Sequence, residues 1–246
     1  MLKKIAFLIL GLLLLVYLGF SIFFLNPKAG KGQICNDLQI QIVDTLERHY
    51  LTNEDVNALL KQASISPIGK HMDSINIDEI KEKLTENRLI KKVDCFKTVG
   101  GTIRIKIYQR IPILRVFSGD KSYYVDNKGE IMPVPRNFAA YVPVASGYIN
   151  EEYAKEKLHP FAVFLQNDKF WNSQIEQIFI TSCQDVELTP RVGKHRIILG
   201  QMDAYKENLQ KLRFFYDKGL DKVGWNKYSV INLKYKNQVV CTKSNS

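Results

Sequence analysis

The apolar positions of this chain fall into three regimes. From Ile5 to Leu25 they run almost without interruption, broken only by Gly11, Gly19 and Ser21. At about 1.5 Å per residue this run reaches roughly 31 Å, the thickness of a bilayer's hydrocarbon core, and it predicts a transmembrane helix over 5–25. It is longer than a signal-peptide core, and the exit Asn26-Pro27-Lys28-Ala29 has no Ala-x-Ala-like cleavage site. Lys31-Gly32-Gln33-Ile34 before Cys35 is not a lipobox. The helix is therefore expected to stay as an uncleaved anchor. Lys3, Lys4 and the terminal amine favour a cytoplasmic stub over 1–4, with the bulk of the chain outside.

After a linker over 26–33 the pattern shifts to short alternating and helical periods, predicting a β-α-α-β-β module over 34–110. Leu38 to Ile42 alternates as a strand. Thr52 caps a helix to about Lys61, with Val56, Leu59 and Leu60 on one face, and Ser66-Pro67-Ile68-Gly69 breaks it. Asn76 and Glu79 form a capping-box pair ahead of Ile77, Ile80 and Leu84. Lys91–Phe96 and Thr102–Gln109 pair as a hairpin around Gly100-Gly101, with Ile103, Ile105 and Ile107 facing the helices.

From Ile111 to the end, 111–246, the texture is that of a mainly antiparallel β-sheet domain with two helices. Strands are expected at Ile113–Phe117, Ser122–Val125, Val142–Ala145, Ile175–Thr181, Asp185–Leu188 and His195–Leu199. Helices are expected at about Tyr153–Gln166, with Pro160 blurring the boundary, and at Ala204–Tyr216. Asp126-Asn127-Lys128-Gly129 lacks the carboxylate ladder of a calcium loop and reads as a turn with Gly129 at positive φ. The chain closes on Ser229–Tyr235 and Gln238–Thr242, two strands or one continuous strand. Alternation puts Ile231, Leu233, Tyr235 and Val239 on one face and Asn232, Lys234, Lys236 and Gln238 on the other. A terminal strand can offer its unpaired main chain at a sheet edge. Tyr235 reads equally as an inward core residue.

Composition sharpens this only in part. The 35 Lys+Arg against 25 Asp+Glu give a net charge of +10. These charges are scattered, with no basic stripe interleaved with aromatics, so nucleic acid is not the expected partner and a solvated basic surface near a bilayer is. Cys35, Cys95, Cys183 and Cys241 form no Cys-x-x-Cys pair. An exterior domain permits disulfides, and Cys35–Cys95 with Cys183–Cys241 is one pairing of three; buried free thiols are the alternative. No Gly-x-Ser-x-Gly or His-Glu-x-x-His occurs, and His49, His71, His159 and His195 stand isolated. No catalytic, cofactor or metal site is expected.

The order of parts resembles the FtsQ/DivIB cell-division proteins, with a POTRA domain as the first exterior module. The resemblance rests on Ser66-Pro67-Ile68-Gly69-Lys70, on Gln109-Arg110-Ile111-Pro112-Ile113-Leu114-Arg115-Val116 and on Tyr123 to Gly129 with Met132-Pro133. Ile231-Asn232-Leu233-Lys234-Tyr235 completes it, and Asn237 to Cys241 is similar to the Bacteroidota branch. The stub is shorter than many relatives' cytoplasmic tails. The resemblance implies a non-enzymatic divisome scaffold in the inner membrane. Its periplasmic domain would bind FtsB-like and FtsL-like bitopic proteins and link early to late septation components. It carries the binding tyrosine onto Tyr235 and the binding edge onto Leu233, Lys234, Val239 and Val240, so a proline at Tyr235 would remove a ladder donor. By residues alone, Arg110 and Arg115 read as junction or surface ion-pair residues. An outer-membrane assembly factor bearing such a module, or a membrane-anchored cell-wall enzyme, are the other readings.

Overall fold

A computed structural model of the chain describes residues 2–25, 32–43, 50–135 and 138–244, with side chains left aside at 2–8, 10 and 22–25. Most of the expected 26–33 linker lies outside the described residues, as does residue 1. The first element is a helix, α1 (Leu2–Leu25). Its described apolar side chains, Leu12 to Leu18 among them, project outward without burial. Among the described residues no helix is long and apolar enough to cross a membrane.

The first module is β-α-α-β-β as its local signals dictate: β1 (Asp37–Val43), α2 (Asn53–Gln62), α3 (Ile77–Thr85), β2 (Ile90–Lys97) and β3 (Thr102–Gln109). Thr52 and Asp55 complete a reciprocal capping box on α2. Asn76 Oδ1 accepts from the Asp78 and Glu79 amides at the start of α3. The sheet order is β1-β3-β2, with β1 parallel and β2 antiparallel to the central β3. Ile103, Ile105 and Ile107 of β3 are fully buried against Val56, Leu60, Ile80 and Leu84 of the helices.

The second domain is one nine-stranded sheet. Its elements are β4 (Pro112–Ser118), β5 (Lys121–Asp126), β6 (Ile131–Pro133), β7 (Val144–Gly147), α4 (Glu151–Tyr153), α5 (His159–Asn167), α6 (Lys169–Gln174), β8 (Ile175–Ile180), β9 (Asp185–Pro190), β10 (Arg196–Gln201), α7 (Tyr205–Phe215), α8 (Asp221–Val223), β11 (Tyr228–Asn232) and β12 (Val240–Lys243). The order is β12-β11-β10-β9-β8-β7-β4-β5-β6. Five of the eight pairings are antiparallel; β4–β7, β7–β8 and β10–β11 are parallel. Phe161, Leu165, Trp171, Leu209 and Leu212 of the helices share one buried core with the sheet.

Several sequence expectations need correction. Pro160 does not interrupt its helix, because a π turn over Ala154–Leu158 joins α4 to α5, the His159 amide reaching back to Ala154 O. That wider turn absorbs the bond that Pro160 cannot donate. The last helix runs past Tyr216 through a second π turn, Tyr216–Leu220, into α8. The short β6 and α6 had no place in the expected pattern. The two terminal strands are not continuous, since β12 turns back antiparallel onto β11.

All four cysteines are free thiols. In the first module β3 lies between β1 and β2. Cys35 lies just ahead of β1, bonded to the 66–71 loop, while Cys95 lies in β2 on the far side of β3. Cys183 lies in the β8–β9 turn, three strands from Cys241. Burial pushes the Cys95 thiol up to about 11, so it stays protonated and unreactive.

The domains meet at a polar and aromatic junction. Arg110 Nη1 donates to the fully buried Asp126 carboxylate at 2.8 Å. The other Asp126 oxygen accepts from the Lys128 amide at 2.8 Å and the Glu130 amide at 2.9 Å. Gly129 takes φ +84° there, as the turn requires. Tyr50 donates its hydroxyl to Arg110 O. Its ring lies 5.3 Å from Phe138, beside the buried Tyr124 and Met132. Arg110 is thus a junction ion-pair residue. Arg115 lies over the rings of Phe117 and Tyr124.

Candidate partner-binding edge

The C-terminal edge is built by β11, a reversal over 233–239, and β12. β11 runs parallel to β10 in the register Arg196 with Val230, Ile197 with Ile231 and Ile198 with Asn232. Ile231 is fully buried by that pairing, and so is Leu233, whose amide donates to Ile198 O at 2.9 Å. The strand stops after Asn232, whose side-chain oxygen accepts from the Lys234 amide at 3.0 Å. Lys211 of α7 then donates to Leu233 O at 2.9 Å and Tyr235 O at 3.0 Å, satisfying carbonyls that leave the ladder. Asn237 adopts φ +61° in the turn that brings β12 back.

The five residues expected at the edge therefore separate. Leu233 is fully buried and supports the edge from beneath, which corrects its expected place on the edge. Lys234 forms an ion pair with Asp185 at 2.7 Å across the sheet, and that hydrogen bond raises its pKa. Tyr235 is 49% exposed and Val240 42% exposed. Val239 is partly buried and packs on the core. Tyr235 lies in the reversal and not in a strand, so a proline there removes no ladder donor.

Among the described residues β12 pairs with β11 alone and forms one edge of the sheet. The Ser244 amide points inward, donating to Lys227 O at 3.1 Å. By the alternation of an antiparallel strand, the Val240 and Thr242 amides also face β11, and those of Cys241 and Lys243 face outward. Between α7, the π turn after it and the reversal that leads into β12 lies a groove of about 620 Å³, lined by Lys211, Phe214, Lys218, Gln238 and Val239 among others. An edge with outward-facing donors can accept an added strand.

Lys211 and Gly200 were not legible as edge residues. Gly200 has φ +88°, and a Cβ there would meet the Lys234 side chain at 2.9 Å, so the glycine makes room for the Lys234–Asp185 bridge. Lys211 acts on carbonyls 22 and 24 residues away, beyond any local pattern.

Among the described residues no group of three His, Cys, Asp or Glu comes together. His195 is buried, its Nε2 2.7 Å from the Tyr216 hydroxyl and its ring facing Trp225. Desolvation lowers its pKa, with the Trp225 backbone pulling the other way. The folded state thus holds His195 neutral where the unfolded chain, near 6.5, takes up a proton. The unfolded state binds more protons as pH falls through that range, so this contribution to stability is present above about pH 6.5 and is lost below it. Thermal melts of the parent against His195→Gln should diverge in that sense. A parent that loses no stability relative to the variant on acidification would refute it.

No curated protein is similar enough to the chain to count as a match. Two families do match, without overlap. A POTRA-like domain covers residues 33–108, which is the β-α-α-β-β module. The family described as FtsQ/DivIB, C-terminal related covers residues 111–242, the nine-stranded domain up to β12. These are scaffold domains, not catalytic ones. With more than half its length inside that second match, this chain belongs to the FtsQ/DivIB family, which points to a role in cell division.

Proposed function

We propose that the protein is a divisome scaffold that captures FtsB-like and FtsL-like bitopic partners by strand addition on β12 and links early to late septation components. α1 would be its single-pass anchor in the inner membrane, with the N-terminus cytoplasmic and the remainder periplasmic at the division site. Support for the anchor comes from the uncharged run Ile5 to Leu25 and from the outward apolar side chains of α1. The proposed division of the chain is 1–4, 5–25, 26–33, 34–110 and 111–246. Tyr235 and Val240 would meet the partner's side chains, Val239 would floor the groove, and Lys234 would hold the reversal in place.

The observation that carries this reading is the edge position of β12 with its outward amides. It is tested by Lys243→Pro, which removes an outward donor and leaves the pairing to β11 intact. The variant should melt like the parent yet fail to co-purify the bitopic partners. Thr242→Pro, placed on an inward donor, should loosen β12 itself. Full partner recovery with Lys243→Pro would end the strand-addition proposal.

A further inference from the structure

Three loops meet at the end of the first module where the chain arrives from α1. Residues 33–36 lie between the 66–71 loop and the 98–101 turn. Cys35 N donates to Lys70 O at 2.9 Å, Gly69 N to Cys35 O at 2.9 Å, Met72 N to Gln33 O at 2.8 Å and Asn36 N to Gly101 O at 3.0 Å. Gly101 takes φ +77° and approaches so closely that a Cβ there would lie 2.9 Å from Ile34 O. These bonds fix the three loops as one tip.

Each loop of that tip exposes one aliphatic side chain: Ile34 is 44%, Ile68 56% and Val99 82% exposed. A single exposed aliphatic residue is ordinary. Three on tightly bonded loops, none contributing to the module's core, form an unpartnered apolar tip. Lys70 and Lys97 flank it, donating to Ser64 O and Met72 O, with Asp37 and Asp73 also exposed nearby.

The chain's own connectivity says what covers this tip. Only residues 26–31 separate the end of α1 at Leu25 from Gly32. Seven Cα-to-Cα steps of at most about 3.6 Å hold Gly32 within roughly 25 Å of Leu25. We propose that the tip formed by Ile34, Ile68 and Val99 seats in the headgroup region of the bilayer that anchors α1, giving the first module a second, interfacial contact. This rests on α1 being a membrane anchor. Aliphatic side chains on turns enter the boundary between headgroups and acyl chains, and lysines beside them meet lipid phosphates.

The full chain in nanodiscs of phosphatidylcholine and phosphatidylglycerol tests this. Val99→Trp and Ile68→Trp place an indole on the tip, with the emission of Trp171 and Trp225 subtracted using the parent. In nanodiscs carrying acyl-brominated lipids, both variants should lose most of their added emission, and Tyr148→Trp on the second domain should lose none. Unquenched tip indoles in a chain that survives an alkaline wash of the bilayer would overturn the tip contact and leave the anchor standing. A chain released by that wash would overturn both.

Discussion

Gly147→Ala is expected to destabilise the nine-stranded domain severely. Gly147 ends β7 with φ +103°, and a Cβ built there falls 2.1 Å from the carbonyl oxygen of Ile180. That oxygen cannot move aside, because it accepts the Tyr148 amide at 2.9 Å while Ile180 pairs with Gly147 across β7 and β8. β7 lies between β4 and β8 in the interior of the sheet, so relief would require shifting strands on both sides. The positive φ adds strain of about 1–2 kcal/mol to an overpacking term of about 1–3 kcal/mol. Together, at about 2–5 kcal/mol, these reach the lower end of the total stability of a typical domain, about 5–15 kcal/mol. Denaturant titration should show the midpoint fall steeply. A variant with the parent's midpoint would mean that β7 and β8 do not sit as described.

The second large effect is expected at the junction. Asp126→Ala would remove a fully buried carboxylate that pairs with Arg110 and caps the amides of Lys128 and Glu130. Breaking a buried pair on one side costs about 3–5 kcal/mol, because the remaining charge keeps its desolvation without its partner. Asp126→Asn keeps an acceptor for the two amides, so it should recover part of that loss. The position also decides how the domains communicate. Arg110 receives the Tyr50 hydroxyl on its carbonyl and holds Asp126 with its guanidinium, so one residue ties the first module to β5. The parent should melt in a single transition and Asp126→Ala in two. A single, unshifted transition in the variant would refute the coupling.

The first module was legible because each of its signals is local. Thr52, Asn76 and the Gly100-Gly101 turn each act within a few residues, and the alternation along β3 is unbroken. The last stretch of chain shows the opposite. Alternation carries the first terminal strand on to Tyr235, but the Asn232 side chain bonds the Lys234 amide and Lys211, on a distant helix, bonds two carbonyls. The apolar residues beyond 232 thus come from a reversal, and Tyr235 and Leu233 part company. α6 carried a visible cap, Asp168, whose carboxylate accepts from the Phe170 and Trp171 amides, but its six residues are too few to show a period. The strand order was beyond reach for another reason. The β4–β7–β8 and β10–β11 neighbours are parallel pairs across long connections, set by packing and not by turns.

That order has a consequence for traffic on the molecule. Six inter-strand steps separate β4, which continues directly from the first module, from β12. At about 4.8 Å per step they amount to roughly 29 Å across the sheet. The first module and the terminal strand thus lie toward different parts of the sheet. If β12 takes a partner strand as proposed, the width of the sheet would hold that partner away from whatever the first module meets.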